Sequence, residues 1–411
     1  MTDNTPQIRY PEYTEKWNKY KLGEISEKVT SKNNNLIYNE TFTNSAEYGV
    51  VSQKDFFNKN ISNTKNLDGY YIIQDKDFVY NPRISKLAPV GPIRCNKLGR
   101  TGIISPLYTV FRTYNVDIEY LEQYFKSSKW HKFMYSNGNS GVRSDRFSIK
   151  DKVLFEMTIP LPSLPEQQQI GQLFQKLDQL ITAQQEKIQH QKQTKQALLQ
   201  QMFPTGDSSM PSVRYPGYDD EWSECKLNNI LTLLKDGTHE THKDSSEGCL
   251  LLSAKNIKNG KIFWNKTDRI ISIEDYNKIH KNFKLQQGDV LLTIVGSIGE
   301  TAILKNPENI TFQRSVAYLR PDKSKLTAEY LNIVIQTRQF QNELDKRKAI
   351  SAQPGIYLKD LRKIRVKIPS LPEQQQIGQF FQKIDQQIQY NTTKLEHIKQ
   401  MKKALLQRMF I

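Results

Sequence analysis

The sequence predicts a mixed α+β chain built twice: two globular domains joined by a long antiparallel two-helix coiled coil, with an internal pseudo-twofold relation. Two segments return nearly unchanged about half a chain later, and the second carries apolar residues at alternating steps of four and three, the spacing of a coiled-coil seam. Between the repeats, short apolar or β-branched runs alternate with polar loops, as in a sheet-based domain.

Each half opens alike. Arg9-Tyr10-Pro11, Tyr13, Trp17, Lys21-Leu22 and Ile25 return as Arg214-Tyr215-Pro216, Tyr218, Trp222, Lys226-Leu227 and Ile230, an offset of 205 residues (9 to 214). LPEQQQIGQLFQKLDQLI from Leu164 returns as LPEQQQIGQFFQKIDQQI from Leu371, an offset of 207 (164 to 371), and KQALLQQMF from Lys195 as KKALLQRMF from Lys402. The organisation that follows is a lead-in and globular domain over 1–160, a long helix over 161–204, a second lead-in and domain over 205–367, and a second helix over 368–411. Thr30 to Lys150 and Thr232 to Lys363 share little, so one architecture carries two different surfaces.

In the domains, strands are expected at Tyr48–Ser52, Tyr70–Ile73, Phe78–Tyr80, Ile103–Ile104 and Tyr108–Phe111, then at Leu250–Ser253, Val290–Val295, Ala302–Leu304 and Val316–Leu319. In the helices, Pro165 and Pro372 suit the first turn, and Glu166 and Glu373 complement the positive helix N-terminus. The first seam runs Ile170, Phe174, Leu177, Ile181, Gln184, Ile188, Gln191, Lys195, Leu198, Met202; the second runs Ile377, Phe381, Ile384, Ile388, Asn391, Leu395, Ile398, Lys402, Leu405, Met409. Gln184, Gln191 and Asn391 are expected to fix register at some cost in stability.

Connection lengths set direction. About ten residues, Pro204 to Val213, separate the first helix from the second lead-in, so the second domain and the start of its helix lie near the end of the first, and pairing is antiparallel. A helix of roughly 38 residues spans about 57 Å, or roughly 17 base-pair steps. Two oppositely oriented heads on such a rod suit two half-sites at a set separation on duplex DNA.

A chain of 411 residues exceeds one ordinary domain. Its net charge of +16 creates a field that attracts polyanions, nucleic acid first. No apolar run approaches membrane-span length, no apolar core follows the opening MTDNTPQIRYPEY, and Cys95, Cys225 and Cys249 lack zinc-ligand spacing; a cytoplasmic protein with free thiols and no membrane partner is expected. No phosphate-cradling Gly-x-x-x-x-Gly-Lys-[Ser/Thr] loop occurs. Asn81-Pro82-Arg83 reads as a loop, His239 and His242 lack the spacing of a metal site, and Gly296-Ser297-Ile298-Gly299 reads as a tight turn presenting backbone. Neither catalytic nor metal-binding residues are expected.

Two divergent domains, each followed by a helix opening in Pro-x-Leu-Pro-Glu-Gln-Gln (Pro162 to Gln168, and its copy from Pro369), resemble the specificity subunit of type I restriction-modification enzymes. The Trp-x-x-x-Lys-Leu lead-in, Trp17 to Leu22 and Trp222 to Leu227, is similar to that family's, and the likeness covers essentially the whole chain. The resemblance implies two target recognition domains reading the halves of a bipartite, asymmetric double-stranded DNA site. The helices would dock two adenine methyltransferase subunits, with restriction and translocase subunits joining them. S-adenosylmethionine, ATP and Mg would sit on those partners and none on this chain, which would present a target adenine for flipping. The rival readings are a free-standing bipartite DNA-binding protein and an enzyme with its site in a divergent domain.

Base reading favours Arg for guanine and Asn or Gln for adenine, on loops. Candidates are Gln53, Lys54, Arg83, Lys86, Arg94, Lys97, Arg100, Arg143 and Arg146 in the first domain, and Lys255, Asn256, Ser297, Gln313, Arg314 and Gln353 in the second. Arg143 and Arg146 stand out, in a polar loop with Gly138 and Gly141.

Overall fold

The computed structural model describes residues 5–57, 67–140, 145–349 and 354–411. Packing divides the chain into two compact units, residues 1–185 with 394–411, and residues 186–393. The division falls partway along both long helices, Leu164–Gln201 and Leu371–Arg408. Each unit's core takes in the start of one helix and the end of the other, so the packing boundary differs from the sequence boundaries at the helix ends.

In the first unit, Ile170, Phe174 and Leu177 share a hydrophobic core with Ile398, Met409 and Phe410. The Phe410 ring lies 5.9 Å from Phe174 and 5.3 Å from Tyr120, and Lys402 pairs with Asp178. In the second unit, Leu199, Met202 and Phe203 pack with Ile377 and Phe381. There Lys195 Nζ lies 2.5 Å from Asp385 Oδ1, and Asn391 donates to Gln191 Oε1 at 2.8 Å. Rising numbers on one helix meet falling numbers on the other in both units, so the helices run antiparallel as the connection lengths required. The seam lysines are accommodated because each faces an aspartate of the other helix, and the two pairs are reciprocal copies.

Both units share one inner-sheet order and an outer sheet built on one parallel pair. In the first, Ser26–Lys28, Thr109–Thr113, Phe78–Tyr80 and Ile93–Cys95 form an antiparallel inner sheet in that spatial order. An outer sheet runs Gly49–Ser52, Thr41–Ser45, Gly102–Ile104, Tyr71–Ile73, with the central pair parallel. In the second, the inner sheet runs Leu231–Asp236, Val316–Pro321, Val290–Thr293, Thr301–Ile303, and the outer Arg269–Ile271, Cys249–Leu252, Ile310–Phe312, again with a parallel pair.

Strand periodicity explains the layering. Phe78, Tyr80 and Phe111 face helix Ile118–Lys126 and the long helices, while Val79 and Val110 face Phe42, Ile73 and Ile104 of the outer sheet. Val290, Leu292 and Leu319 face helix Ala328–Gln336, while Leu291, Val316 and Tyr318 face Leu252, Ile310 and Phe312. The apolar strand runs were legible. The helices of the heads and the polar strand Thr41–Ser45 were not expected.

The repeated motif joins head to helix. Glu166, 1% exposed in its side chain, accepts from Arg9 Nε at 2.7 Å, Arg9 Nη2 at 2.8 Å and Trp17 Nε1 at 3.3 Å. Glu373 accepts from Arg214 Nε and Nη2, both at 2.8 Å. The glutamate therefore latches the lead-in segment, and complementing the helix N-terminus is the lesser part of its role.

Its neighbour serves the next helix of the head. Gln167 Oε1 accepts from Asp117 N at 2.9 Å, and Gln374 Oε1 from Thr327 N at 3.0 Å, where Asp117 and Thr327 cap the helices Ile118–Lys126 and Ala328–Gln336. The motif glycines let those helices approach. A Cβ on Gly171 would lie 2.7 Å from Asp117 Oδ1, and one on Gly378 2.7 Å from Glu329 Cβ.

Candidate nucleic-acid interface

A central inner strand of each unit begins at a buried aspartate clasped by an arginine from the neighbouring strand. Asp77 accepts from Arg112 Nε at 2.8 Å and Nη2 at 2.9 Å, and from Gln74 N at 2.7 Å. Asp289 accepts from Arg320 Nε at 2.7 Å and Nη2 at 2.8 Å, and from Gln286 N at 2.8 Å. Sequence reading missed this pair. Its signal is Gln-x-x-Asp before an apolar strand, with the residue ahead of the aspartate, Lys76 or Gly288, at positive φ.

At the other end of the same strands the loops converge. In the second unit, backbone bridges join Thr238 to Gln313 and Val295 to Gly355, and Ala254 N donates to Ser315 Oγ at 3.0 Å. Segments near residues 238, 254, 295, 314 and 355 thus share one end of the head. Gly296 and Gly299 adopt φ of 82° and 97°, which lets the turn fold over Thr293, whose hydroxyl is bonded to Ser297 O and accepts from Glu300 N at 2.9 Å. Ser297 and Arg314 are exposed on this end, and Arg314 has no side-chain partner among the described residues. Lys255 pairs with Asp268 at 2.8 Å while staying 66% exposed. Bonds from Lys255, Asn256 and the Asn265 amide hold the Asp268 carboxyl down to about 2.

In the first unit the corresponding end gathers the connections 45–49, 81–92 and 105–108. Asn44 Nδ2 donates to Val79 O at 2.7 Å, Asn81 Nδ2 donates to Asn44 O at 2.8 Å, and a backbone bridge joins Arg83 to Arg146. Arg83, Lys86 and Arg146 lie here with no carboxylate partner among the described residues.

Topology sorts the remaining candidates. Lys97 and Arg100 lie in the connection between Ile93–Cys95 and Gly102–Ile104, at the opposite end of the inner sheet, paired with Glu119 at 2.6 Å and Glu40 at 2.7 Å. Arg94 spends its guanidinium on the carbonyls of Ile93, Phe125 and Ala46. Asn256 is 1% exposed, accepting from Ser253 N and donating to Phe263 O and Asp268. These two are corrected from base readers to framework residues: Asn256 is buried with both amide hydrogens and its oxygen bonded, and Arg94 is half-buried with its guanidinium turned onto three backbone carbonyls. Gln53 and Lys54 open helix Gln53–Phe57, whereas Arg143 and Gln353 lie outside the described residues.

The histidines have separate partners: His239 Nε2 lies 2.7 Å from Asp236 Oδ2 and His242 Nε2 2.9 Å from Thr238 Oγ1. Among the described residues no cluster of three or more His, Cys, Asp or Glu could hold a metal, and no helix is long and apolar enough to cross a membrane.

Two heads with one inner-sheet topology, a common framework and unlike residues on the corresponding loops define a tandem recognition protein. The family model for the type I restriction modification DNA specificity domain matches residues 14–191 and again 219–400. The chain belongs to that family. It is 24% identical over 319 residues to the type I restriction enzyme MjaVIII specificity subunit of Methanocaldococcus jannaschii, covering 75% of this chain and 73% of that one. It is 29% identical over 250 residues to the EcoBI specificity subunit of Escherichia coli, covering 56% of this chain and 52% of that one. Among solved structures, the type I restriction-modification S subunit from M. genitalium aligns over 99% of both chains with a TM-score of 0.57 at 12% identity. A chain from a type I R-M system solved to explain complex assembly aligns over 96% of this chain and 97% of that one, with a TM-score of 0.59 at 16% identity.

Proposed function

We propose that this chain is the DNA-reading subunit of a type I restriction-modification complex, each unit reading one half of an asymmetric bipartite site through its converged loop end. One observation carries the reading: Asp77–Arg112 and Arg9–Glu166 are repeated as Asp289–Arg320 and Arg214–Glu373, while the loops they support differ residue by residue. A duplication serving packing alone has no need of two unlike loop ends on one framework. Phosphate contacts from Arg83, Lys86, Arg146 and Arg314 would position the heads, and base edges would be read by the same loops.

The chain is not catalytic in this reading. Two adenine methyltransferase subunits dock on the long helices and carry S-adenosylmethionine, and restriction subunits carry ATP and Mg, in the cytoplasm. Co-purification tests it: a methyltransferase at two copies per chain is expected, with DNA methylation by the assembly and none by the chain alone. Modification by the isolated chain contradicts the reading, and specific binding without any enzymatic partner favours a free-standing DNA-binding protein.

A further inference from the structure

We propose that Leu87 and Leu107 read thymine methyl groups in the half-site contacted by the first unit. The proposal rests on the reading above, that the converged loop end of this unit faces DNA. Leu87 is 68% exposed and Leu107 59% exposed, and each stands at the tip of a connection leaving that end. Isolated exposed leucines are ordinary on a protein surface. These two differ because the loops beneath them are held by hydrogen bonds, and that of Leu87 is cationic as well.

Leu87 sits in a turn closed by reciprocal backbone bonds between Ser85 and Ala88, at 3.0 and 3.1 Å. Leu107 N donates to Ser105 Oγ at 3.3 Å, and the next residue, Tyr108, is tied by its hydroxyl to Thr43 Oγ1 of the outer sheet at 3.1 Å. Neither leucine can retreat by a small loop adjustment without breaking those bonds. Arg83 and Lys86, in the Leu87 loop, have no carboxylate partner among the described residues, so the leucine is carried into a field that draws phosphates.

An aliphatic side chain offers no hydrogen bond and cannot tell guanine from adenine or cytosine by donor and acceptor pattern. What it can recognise in the major groove is the 5-methyl group of thymine. The first half-site therefore contains at least one A·T pair beneath these residues, recognised through its methyl.

The test uses the full chain assembled with its methyltransferase subunits. The site is mapped from the methylated adenines of the host, and each thymine of the first half-site is replaced singly by deoxyuridine. At one or two positions the loss of the methyl is expected to weaken binding about fourfold, the weight of one buried methyl group. That penalty disappears in Leu87→Ser or Leu107→Ser, changes that fold safely because both side chains are exposed. Tolerance of deoxyuridine everywhere, or a penalty unchanged in both variants, overturns the proposal. So does loss of subunit assembly in the serine variants, which would make the leucines a protein contact. A complex with no sequence-selective binding would instead sink the DNA-reading function itself.

Discussion

Replacing Arg9 by Met should open the first lead-in segment without unfolding the head. Glu166 is 1% exposed and Arg9 12% exposed, and the carboxylate receives two short guanidinium bonds and one indole bond. Removing one partner of such a pair leaves a buried charge unmatched, at a cost of about 3–5 kcal/mol, whereas an exposed pair is worth about 0–1 kcal/mol. Trp17 Nε1 still donates to Glu166 in the variant, so we take the lower end, about 3 kcal/mol. At roughly 1.4 kcal/mol per tenfold, that is about a hundredfold increase in the opening equilibrium. Native-state hydrogen exchange measures it at Ile8, whose amide donates to Arg408 O at 3.1 Å, and at Leu22, whose amide donates to Met157 O at 2.8 Å. The double variant Arg9→Met, Glu166→Met should recover most of the protection, because an apolar pair of similar volume restores a matched interior. Exchange accelerated less than about threefold, in the range of a surface pair, would refute the latch.

Gly171→Ala sets a methyl 2.7 Å from Asp117 Oδ1 and should destabilise the first unit by about 1–3 kcal/mol in denaturant unfolding, with Gly378→Ala matching it in the second. The Asp268 carboxyl sits near 2, below its unfolded value of about 3.9, so the stability it lends the 253–268 loop is complete above the unfolded value and is lost as pH falls from about 4 toward 2. Exchange of the Asn265 amide, which faces Asp268 at 2.8 Å, should rise in that window, and Asp268→Asn should remove the dependence. Arg314→Ala should weaken DNA binding about equally for cognate and unrelated sequences and lower its salt dependence by about one phosphate contact, and Lys97→Ala, a change at the opposite end of its sheet, should leave binding unaltered. Equal losses in titrations of the two variants would undo the assignment of the loop ends.

The duplication, the coiled-coil seam and its direction were legible because they are local patterns, repeated with a fixed offset and bounded by short connections. Glu166 was visible as part of the motif, yet its partner lies 157 residues away, so only the fold shows that it holds Arg9. Thr41–Ser45 escaped as a strand because its polar residues are buried by bonding to other segments, Thr43 to Tyr108 and Asn44 to Val79, with no periodic apolar face to announce it. Among the candidate DNA contacts, residue type could not separate Arg83 from Arg94. The first has no carboxylate partner among the described residues, while the second turns its guanidinium onto three backbone carbonyls. In the second unit the nominated loops did converge, because glycines and turn residues mark strand ends in sequence and the parallel outer pair brings those ends together.

The central claim is that each unit reads its own half of the site. Replacing residues 22–157, cut where Leu22 N meets Met157 O at 2.8 Å, with the corresponding head of a relative of different specificity puts it to a direct test. Sequencing of methylated adenines in cells carrying the hybrid should show one half of the target changed and the other retained. A target altered in both halves, or in neither, contradicts independent reading by the two units.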